Sequence, residues 1–509
     1  MSRIVVLMLS LLFLVSCSKN EEVKIKRTKK TEEIYQANWE SLSKHNETPE
    51  WFTDAKFGIY FHWGVYSVPA YGSEWYPWNM YKKGSSEYEH HREIYGAQEE
   101  FGYHKFVPQF TAEKFNADEW VSLFKKAGAK FAGPVAQHHD GFAMWKSTVN
   151  PWNSFNKGPK RDITGEIAAA VRKSDIKLIT TFHHSRNLQR YADDEKNWGG
   201  FNSHFIYNPK YDTSTTDPEL SLLYGNISED LFLNNWSEQI NEVITQYKPD
   251  MIWFDAWLNY IPEKRVQQMC ADYFNTEKET KQEVLIGYKQ ADLPKEVGVL
   301  DIEQGGRKDI TDKPWMTDIT LSNKSWSYVK GQTYKNSALV IRNLIDVVSK
   351  NGVVLLNVSP KADGTIPDEQ KKVLLEMGDW FSKFGEAIYN TKPYTLFGFG
   401  NAVVEEGHFG GQSASIKYTE NDIRFTQSKD EKQLYMFFLG EPIKGKTISY
   451  RLLAKHRYGP GPDVKIKSIT LLDSGKKLDY SYSTDVLNIT IPEDVELNSI
   501  ANVIKFDLE

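Results

Sequence analysis

Between positions 51 and 389 the chain alternates short apolar runs with stretches whose apolar residues recur every three or four positions. These two periods separate strands from amphipathic helices. Runs 56–62, 130–137, 176–182, 251–254, 284–288, 297–302 and 353–358 read as strands. Helical patterns lie between them at 163–173, 236–247, 265–274 and 337–350. Asn116 stands as the N-cap of a further helix, with Trp120, Leu123, Phe124 and Ala127 on one face. Strands separated by helices imply a parallel sheet. Seven such units, with one strand unaccounted for, predict an α/β fold of the (β/α)8-like barrel type.

After Pro393 the helical period stops. Short alternating runs at 414–418, 433–438, 447–453, 464–472 and 487–491 are punctuated by turn residues such as Gly459-Pro460-Gly461-Pro462. That texture predicts an all-β module, a sandwich packed on the barrel in a structural role. The expected organisation is a leader and polar tether over 1–33, a barrel over 34–393 and a β-sandwich over 394–509.

The N-terminus bears on location. Arg3 precedes an apolar run at 4–15, too short for a permanent membrane span and laid out like a secretory signal. It ends in Leu14-Val15-Ser16-Cys17, which resembles a bacterial lipobox. Cys17 is therefore expected to carry lipid, with 18–33 as a flexible tether. The expected location is the bacterial cell envelope, facing the periplasm or at the cell surface, with membrane contact only through the anchor. The one other cysteine, Cys270, falls in a helical pattern as a small buried residue, so a disulfide framework is excluded. The net charge of −6 provides no basic field for nucleic acid. The 15 Trp are mostly core material, and aromatic faces also suit the apolar face of a sugar.

In a parallel barrel, reactive groups gather at the carboxyl ends of the strands. Here the strands end in His62-Trp63-Gly64, in His138-His139-Asp140-Gly141 and in His183-His184-Ser185-Arg186-Asn187. Two more run into carboxylates, Asp255 after Met251-Ile252-Trp253-Phe254 and Glu303 after Val299-Leu300-Asp301-Ile302. An Asp after a strand can be a plain turn former, and one of His138 and His139 is expected to pack behind the other. His62, His138, His139, His183 and Asp140 could in principle hold Zn2+. No pair has the i, i+4 spacing of a metalloprotease and Cys ligands are absent, so no metal or other cofactor is expected. Nor is there a G-x-S-x-G elbow, a G-x-G-x-x-G turn or a Walker loop. Glycoside hydrolysis fits what remains, since it needs two carboxyl groups flanking an anomeric carbon.

The stretch Phe57-Gly58-Ile59-Tyr60-Phe61-His62-Trp63-Gly64-Val65-Tyr66-Ser67-Val68-Pro69 resembles the opening of glycoside hydrolase family 29, the α-L-fucosidases. So do Glu74-Trp75-Tyr76, His138-His139-Asp140-Gly141-Phe142, Gly158-Pro159-Lys160-Arg161-Asp162 and Trp253-Phe254-Asp255. Ser325-Trp326-Ser327-Tyr328 and the segment from Gly352 to Asn357-Val358-Ser359-Pro360 also match, with Ser327 where Gly is usual. The resemblance implies a retaining mechanism through a covalent fucosyl-enzyme, with Asp255 as nucleophile. It implies a fucose pocket lined by His62, Glu74, Trp75, His138, His139, His184, Trp253 and Trp326, with Lys289 where many relatives have Arg. The acid/base varies in position among relatives. One usual place reads Pro314-Trp315-Met316 here, and Met316 cannot donate a proton. Glu303, at the other, is the candidate, and Asp301 is the fallback, expected to face away from it. The expected partner is a fucosylated oligosaccharide or glycoconjugate. Alternatives are a related α-L-sugar hydrolase, acting on an α-L-galactoside or sulfated fucose, and a non-catalytic glycan-binding lipoprotein. Ala256, where Gly is commoner, and His183-His184, where many relatives carry Tyr, bear on which sugar is taken.

Overall fold

The computed structural model describes residues 35–201, 203–402, 407–408, 416–450, 465–482 and 486–509. The predicted lipidation site Cys17, its tether, and the Gly459–Pro462 turn lie outside them. Eight parallel strands close into a barrel: β1 (Phe57–Phe61), β2 (Phe131–Gln137), β3 (Lys177–Phe182), β4 (Met251–Phe254), β5 (Leu285–Lys289), β6 (Val299–Asp301), β7 (Trp315–Thr320) and β8 (Gly352–Val358). β7 is the strand missing from the sequence reading.

Helices α1 (Ala117–Lys126), α2 (Ile163–Lys173), α3 (Glu229–Tyr247), α4 (Glu263–Asn275), α5 (Ser337–Ser349) and α6 (Asp368–Phe384) cover the barrel. Their starts follow from side chains that accept orphan backbone N–H groups. Asn116 accepts from Glu119 at 3.2 Å, Asp162 from Gly165 at 3.0 Å and Asn336 from Leu339 at 2.8 Å. Among the described residues, the connections from β5 to β6 and from β6 to β7 contain no helix.

Period-two alternation divides each strand between two cores. Phe57, Ile59 and Phe61 of β1, Ile252 and Phe254 of β4, and Val354 and Leu356 of β8 face the helices. Tyr60, Ile179, Met251, Trp253, Leu285, Val299, Met316, Val353 and Leu355 fill the barrel interior. Positions two residues farther along these inward rows emerge at the carboxyl end: His62, His183, Asp255, Lys289, Asp301, Asp318 and Asn357.

Past the barrel, β9 (Thr391–Phe399), β10 (Ile423–Ser428), β11 (Gln433–Phe438), β13 (Ile466–Leu471) and β16 (Asn502–Leu508) form one antiparallel sheet, in the order β9-β10-β11-β16-β13. A second sheet comprises β12 (Thr447–Tyr450), β14 (Tyr480–Tyr482) and β15 (Leu487–Thr490). Leu434, Met436 and Phe438 face Leu487 and Ile489 in the sandwich core, whereas Tyr435, Phe437 and Leu439 join the core of the barrel. The central strands of the larger sheet are thus buried on both faces. Arg424 of β10 meets Asp346 of α5 at 2.5 Å, and Lys350 meets the same carboxylate at 2.9 Å, all three buried.

Candidate active site

A cavity of about 240 Å3 opens at the carboxyl end of the barrel, lined by carboxylates and aromatic rings at or just beyond the ends of β1, β2, β3, β4, β6 and β7. A larger cavity of about 830 Å3 lies at the opposite end, beside Trp51, Lys177 and Asp250. That face of a barrel carries stability, not chemistry.

At the centre is Lys289, the last residue of β5. Its ammonium is 2.9 Å from Asp255 Oδ1, 2.9 Å from Glu303 Oε2 and 3.3 Å from Asp318 Oδ2. It lies 4.9 Å above the Trp253 ring, the cavity floor. That floor depends on Gly287, where a Cβ would stand 2.5 Å from Trp253 Cδ1. Burial opposes a charged Lys289, but Asp255, Asp318, Glu303 and Asp301 together hold it well above the usual lysine range. Beneath it, Asp318 accepts from Tyr60 Oη at 2.9 Å, with Asp301 buried beside it. Burial, then the Asp318 charge, drive the Asp301 carboxyl well above the carboxylate range, as a buried acid beside a second carboxylate must be.

Asp255 is one-fifth exposed. Its Oδ2 stands 3.2 Å from His183 Nδ1 and 3.4 Å from His139 Nε2. His139 Nδ1 is engaged with the His183 carbonyl. That ring can donate to Asp255 only when doubly protonated, and burial pushes it down to about 4. His183, whose Nε2 meets Thr181 Oγ1 at 3.3 Å, is the nearer of the two rings to the carboxylate. Burial alone would raise the Asp255 carboxyl. Lys289 first, then His183 and His139, overcome this and hold it well below the usual carboxylate range. The result is a carboxylate favoured in its ionised form and aimed into the cavity.

The polar wall is equally constrained. His62 shares Asn357 Oδ1 between its backbone N–H at 2.9 Å and its Nδ1 at 2.8 Å, which leaves Nε2 as an acceptor. Asn357 Nδ2 donates to the Trp326 carbonyl at 2.7 Å. Glu74, buried, accepts from Ser325 Oγ at 3.0 Å and from the Trp326 and Ser327 amides at 3.1 and 3.4 Å. Burial raises its carboxyl and lowers His62 and His138 well below the usual imidazole range. Neutral imidazoles offer both a donor and an acceptor, as sugar hydroxyls require.

Of the residues expected from sequence, His62, Glu74, Trp75, His138, His139, Trp253, Asp255, Lys289, Glu303 and Trp326 line this cavity. His184 does not. It packs 6.3 Å from the Trp236 ring and lines a separate small cavity, because alternation from Ile179 and Thr181 turns His183 inward instead. Asp301 also departs from expectation. It faces inward toward Lys289 and Asp318, since β6 ends at Asp301 and Glu303 lies in the turn beyond. Asp140 accepts from Tyr103 Oη at 2.6 Å and does not line the cavity. His183 and Trp257 line it as well, and Asp318 and Phe201 join them without having been singled out from the sequence; period two would have found Asp318. Two groups, His62–His138–His183 and His139–His183–Asp255, place one ligand atom each within 4.8 Å of the others, close enough to share a cation.

Two carboxylates on either side of a sugar-sized cavity, at the mouth of a (β/α)8 barrel and ringed by neutral imidazoles, define a glycoside hydrolase. The chain belongs to the α-L-fucosidase family, whose signature matches residues 23–386. It is 33% identical over 397 residues to the tissue α-L-fucosidase of Bos taurus, covering 72% of this chain and 74% of the relative. With the human plasma α-L-fucosidase it shares 30% over 431 residues, covering 81% and 80%. The crystal structure of the Thermotoga maritima α-fucosidase in complex with fucose superposes with a TM-score of 0.72 at 30% identity, over 93% of this chain and 100% of that one.

Proposed function

We propose that this chain hydrolyses terminal α-L-fucosides with retention, with Asp255 as nucleophile and Glu303 as acid/base. The observation that carries this is the Lys289 bridge. Two contacts of 2.9 Å from one nitrogen limit Asp255 Oδ1 and Glu303 Oε2 to at most twice that, 5.8 Å. Retaining pairs stand about 5–5.5 Å apart, whereas inverting pairs need about 6.5–9.5 Å to admit a water. Asp255 attacks the anomeric carbon while Glu303, 38% exposed at the cavity edge, gives its proton to the departing oxygen. Water deprotonated by Glu303 then breaks the glycosyl ester, releasing fucose and restoring both groups. Lys289 keeps the nucleophile ionised, and His62, His138 and Glu74 hold the sugar hydroxyls.

The test is trapping with 2-deoxy-2-fluoro-α-L-fucosyl fluoride, followed by peptide mapping and by NMR of the first-formed anomer from an aryl α-L-fucoside. A label on Asp255 and initial release of α-fucose are expected. A label elsewhere, or β-fucose as first product, overturns the assignment. On the same footing, Leu14-Val15-Ser16-Cys17 supports lipid anchoring at Cys17 in a bacterial envelope. Metabolic labelling with palmitate, lost in Cys17→Ser, tests it, and an unlabelled wild-type chain refutes it.

A further inference from the structure

The rim of the cavity carries a feature that fucose hydrolysis itself does not use. Trp75 in the loop after β1, Phe201 in the loop after β3 and Trp257 in the loop after β4 all line the cavity that holds Asp255 and Glu303. Trp75 and Phe201 stack at 5.5 Å with an interplanar angle of 8°, and Phe201 meets Trp257 edge-on at 5.4 Å. One guanidinium underlies all three. Arg186 Cζ is 4.5 Å from the Trp75 ring, 4.3 Å from Phe201 and 4.9 Å from Trp257. Arg186 is fully buried, and its Nη2 donates to the Phe201 carbonyl. Among the described residues its Nε and Nη1 have no hydrogen-bond partner, so beyond the Nη2 contacts with the Phe201 and Ser203 carbonyls its placement rests on the rings. The turn delivering Trp257 is itself held in an unfavourable form, because Ala256 and Trp257 have φ of 49° and 65°. Backbone of this kind persists where surrounding contacts over-determine it, and gathers at functional sites.

Phe201 remains 51% exposed. A lone exposed Phe is unremarkable, but a stacked aromatic wall at a cavity mouth is a recognition surface. The deep end is closed by buried His62, His138, His183 and Trp253, so the first sugar fills it and the leaving group must project past the rim, where Glu303 protonates it. We propose that Phe201 and Trp257, positioned by Arg186, form the aglycone subsite and take a pyranose ring that presents an apolar C–H face. This rests on the fucosidase reading and names the part of the substrate beyond fucose.

The experiment compares two kinds of substrate on the full chain: α-L-fucosyl fluoride, which has no ring to stack, and a panel of fucosyl-hexose disaccharides of different linkage. The readout is the ratio of kcat/KM for the preferred disaccharide to that for the fluoride, which a folding defect leaves unmoved. In Phe201→Ala and in Trp257→Ala that ratio should fall about tenfold, through KM, as loss of one stacking partner implies. Arg186→Met should lower it in the same direction, and Arg186→Lys should restore part of it. A ratio within threefold of wild type in both ring variants overturns the proposal, as does a wild-type chain that hydrolyses the fluoride and none of the disaccharides. A chain that hydrolyses neither overturns the fucosidase reading instead.

Discussion

Replacing Lys289 by Met would take one ammonium away from three carboxylates at once. The consequence for Asp255 can be worked from the structure. A unit charge about 4 Å away at an effective dielectric near 20 stabilises a carboxylate by about 4 kcal/mol, equivalent to about three pH units. The Asp255 side chain is one-fifth exposed and keeps its contact with His183. Both facts reduce the effect, to about two pH units after solvent screening. Asp255 must be ionised to attack, and Lys289 holds its pKa below the ordinary range. Removing the charge raises that pKa, so the acid limb of kcat/KM should move toward neutral pH by about two units. The kcat/KM profile reports free-enzyme ionisations, so the assay is its pH dependence on an aryl α-L-fucoside. Calorimetry confirms that the variant is folded at each pH. Lys289→Arg keeps the charge and should keep the limb at low pH. An acid limb that stays in place in folded Lys289→Met would refute the electrostatic role assigned to the lysine.

Three further outcomes are expected. Burial holds His62, His138 and His204 well below the free imidazole value, His139 at about 4 and His184 at about 3. The unfolded chain therefore binds more protons below about pH 6.5, and Tm should fall steadily from there toward about pH 4; a flat Tm across that window contradicts buried neutral rings. Arg424→Met leaves the buried Asp346 with Lys350 alone and should cost about 3 kcal/mol in denaturant unfolding, a result that an unchanged midpoint would exclude. Exhaustive chelation should leave kcat/KM unchanged, whereas a loss restored by Zn2+ would make His62–His138–His183 a metal centre.

Much of the site was legible because a barrel repeats one rule. An apolar run buried on both faces, followed by a polar side chain in the inward row, gives Asp255 from Met251 and Trp253, and Lys289 from Leu285 and Gly287. The same rule decides between His183 and His184, and the sequence reading favoured the wrong one by taking the motif without its phase. β7 was missed because Thr317, Asp318 and Thr320 interrupt its apolar character. Asp318 and Thr320 are buried because Lys289, Tyr60 and Asn357 satisfy them, and Thr317 donates to the Ile302 carbonyl; such partners come from other strands of the barrel. Phe201 belongs to a long loop without period, and the pairing of Arg424 with Asp346 spans 78 residues. Local patterning carries no trace of either.

The turn that bears Glu303 continues into Gly305–Gly306, which pairs antiparallel with Gly407–His408 of the C-terminal module. Asp255, the proposed nucleophile, is anchored by the barrel's own hydrogen-bond ladder, whereas Glu303, the proposed proton donor, sits on a helix-free crossover whose edge is completed by the C-terminal module. Its position is thus shared between the barrel and the C-terminal module. The position of Glu303 therefore depends on the C-terminal module, while Asp255 stays fixed at its strand tip.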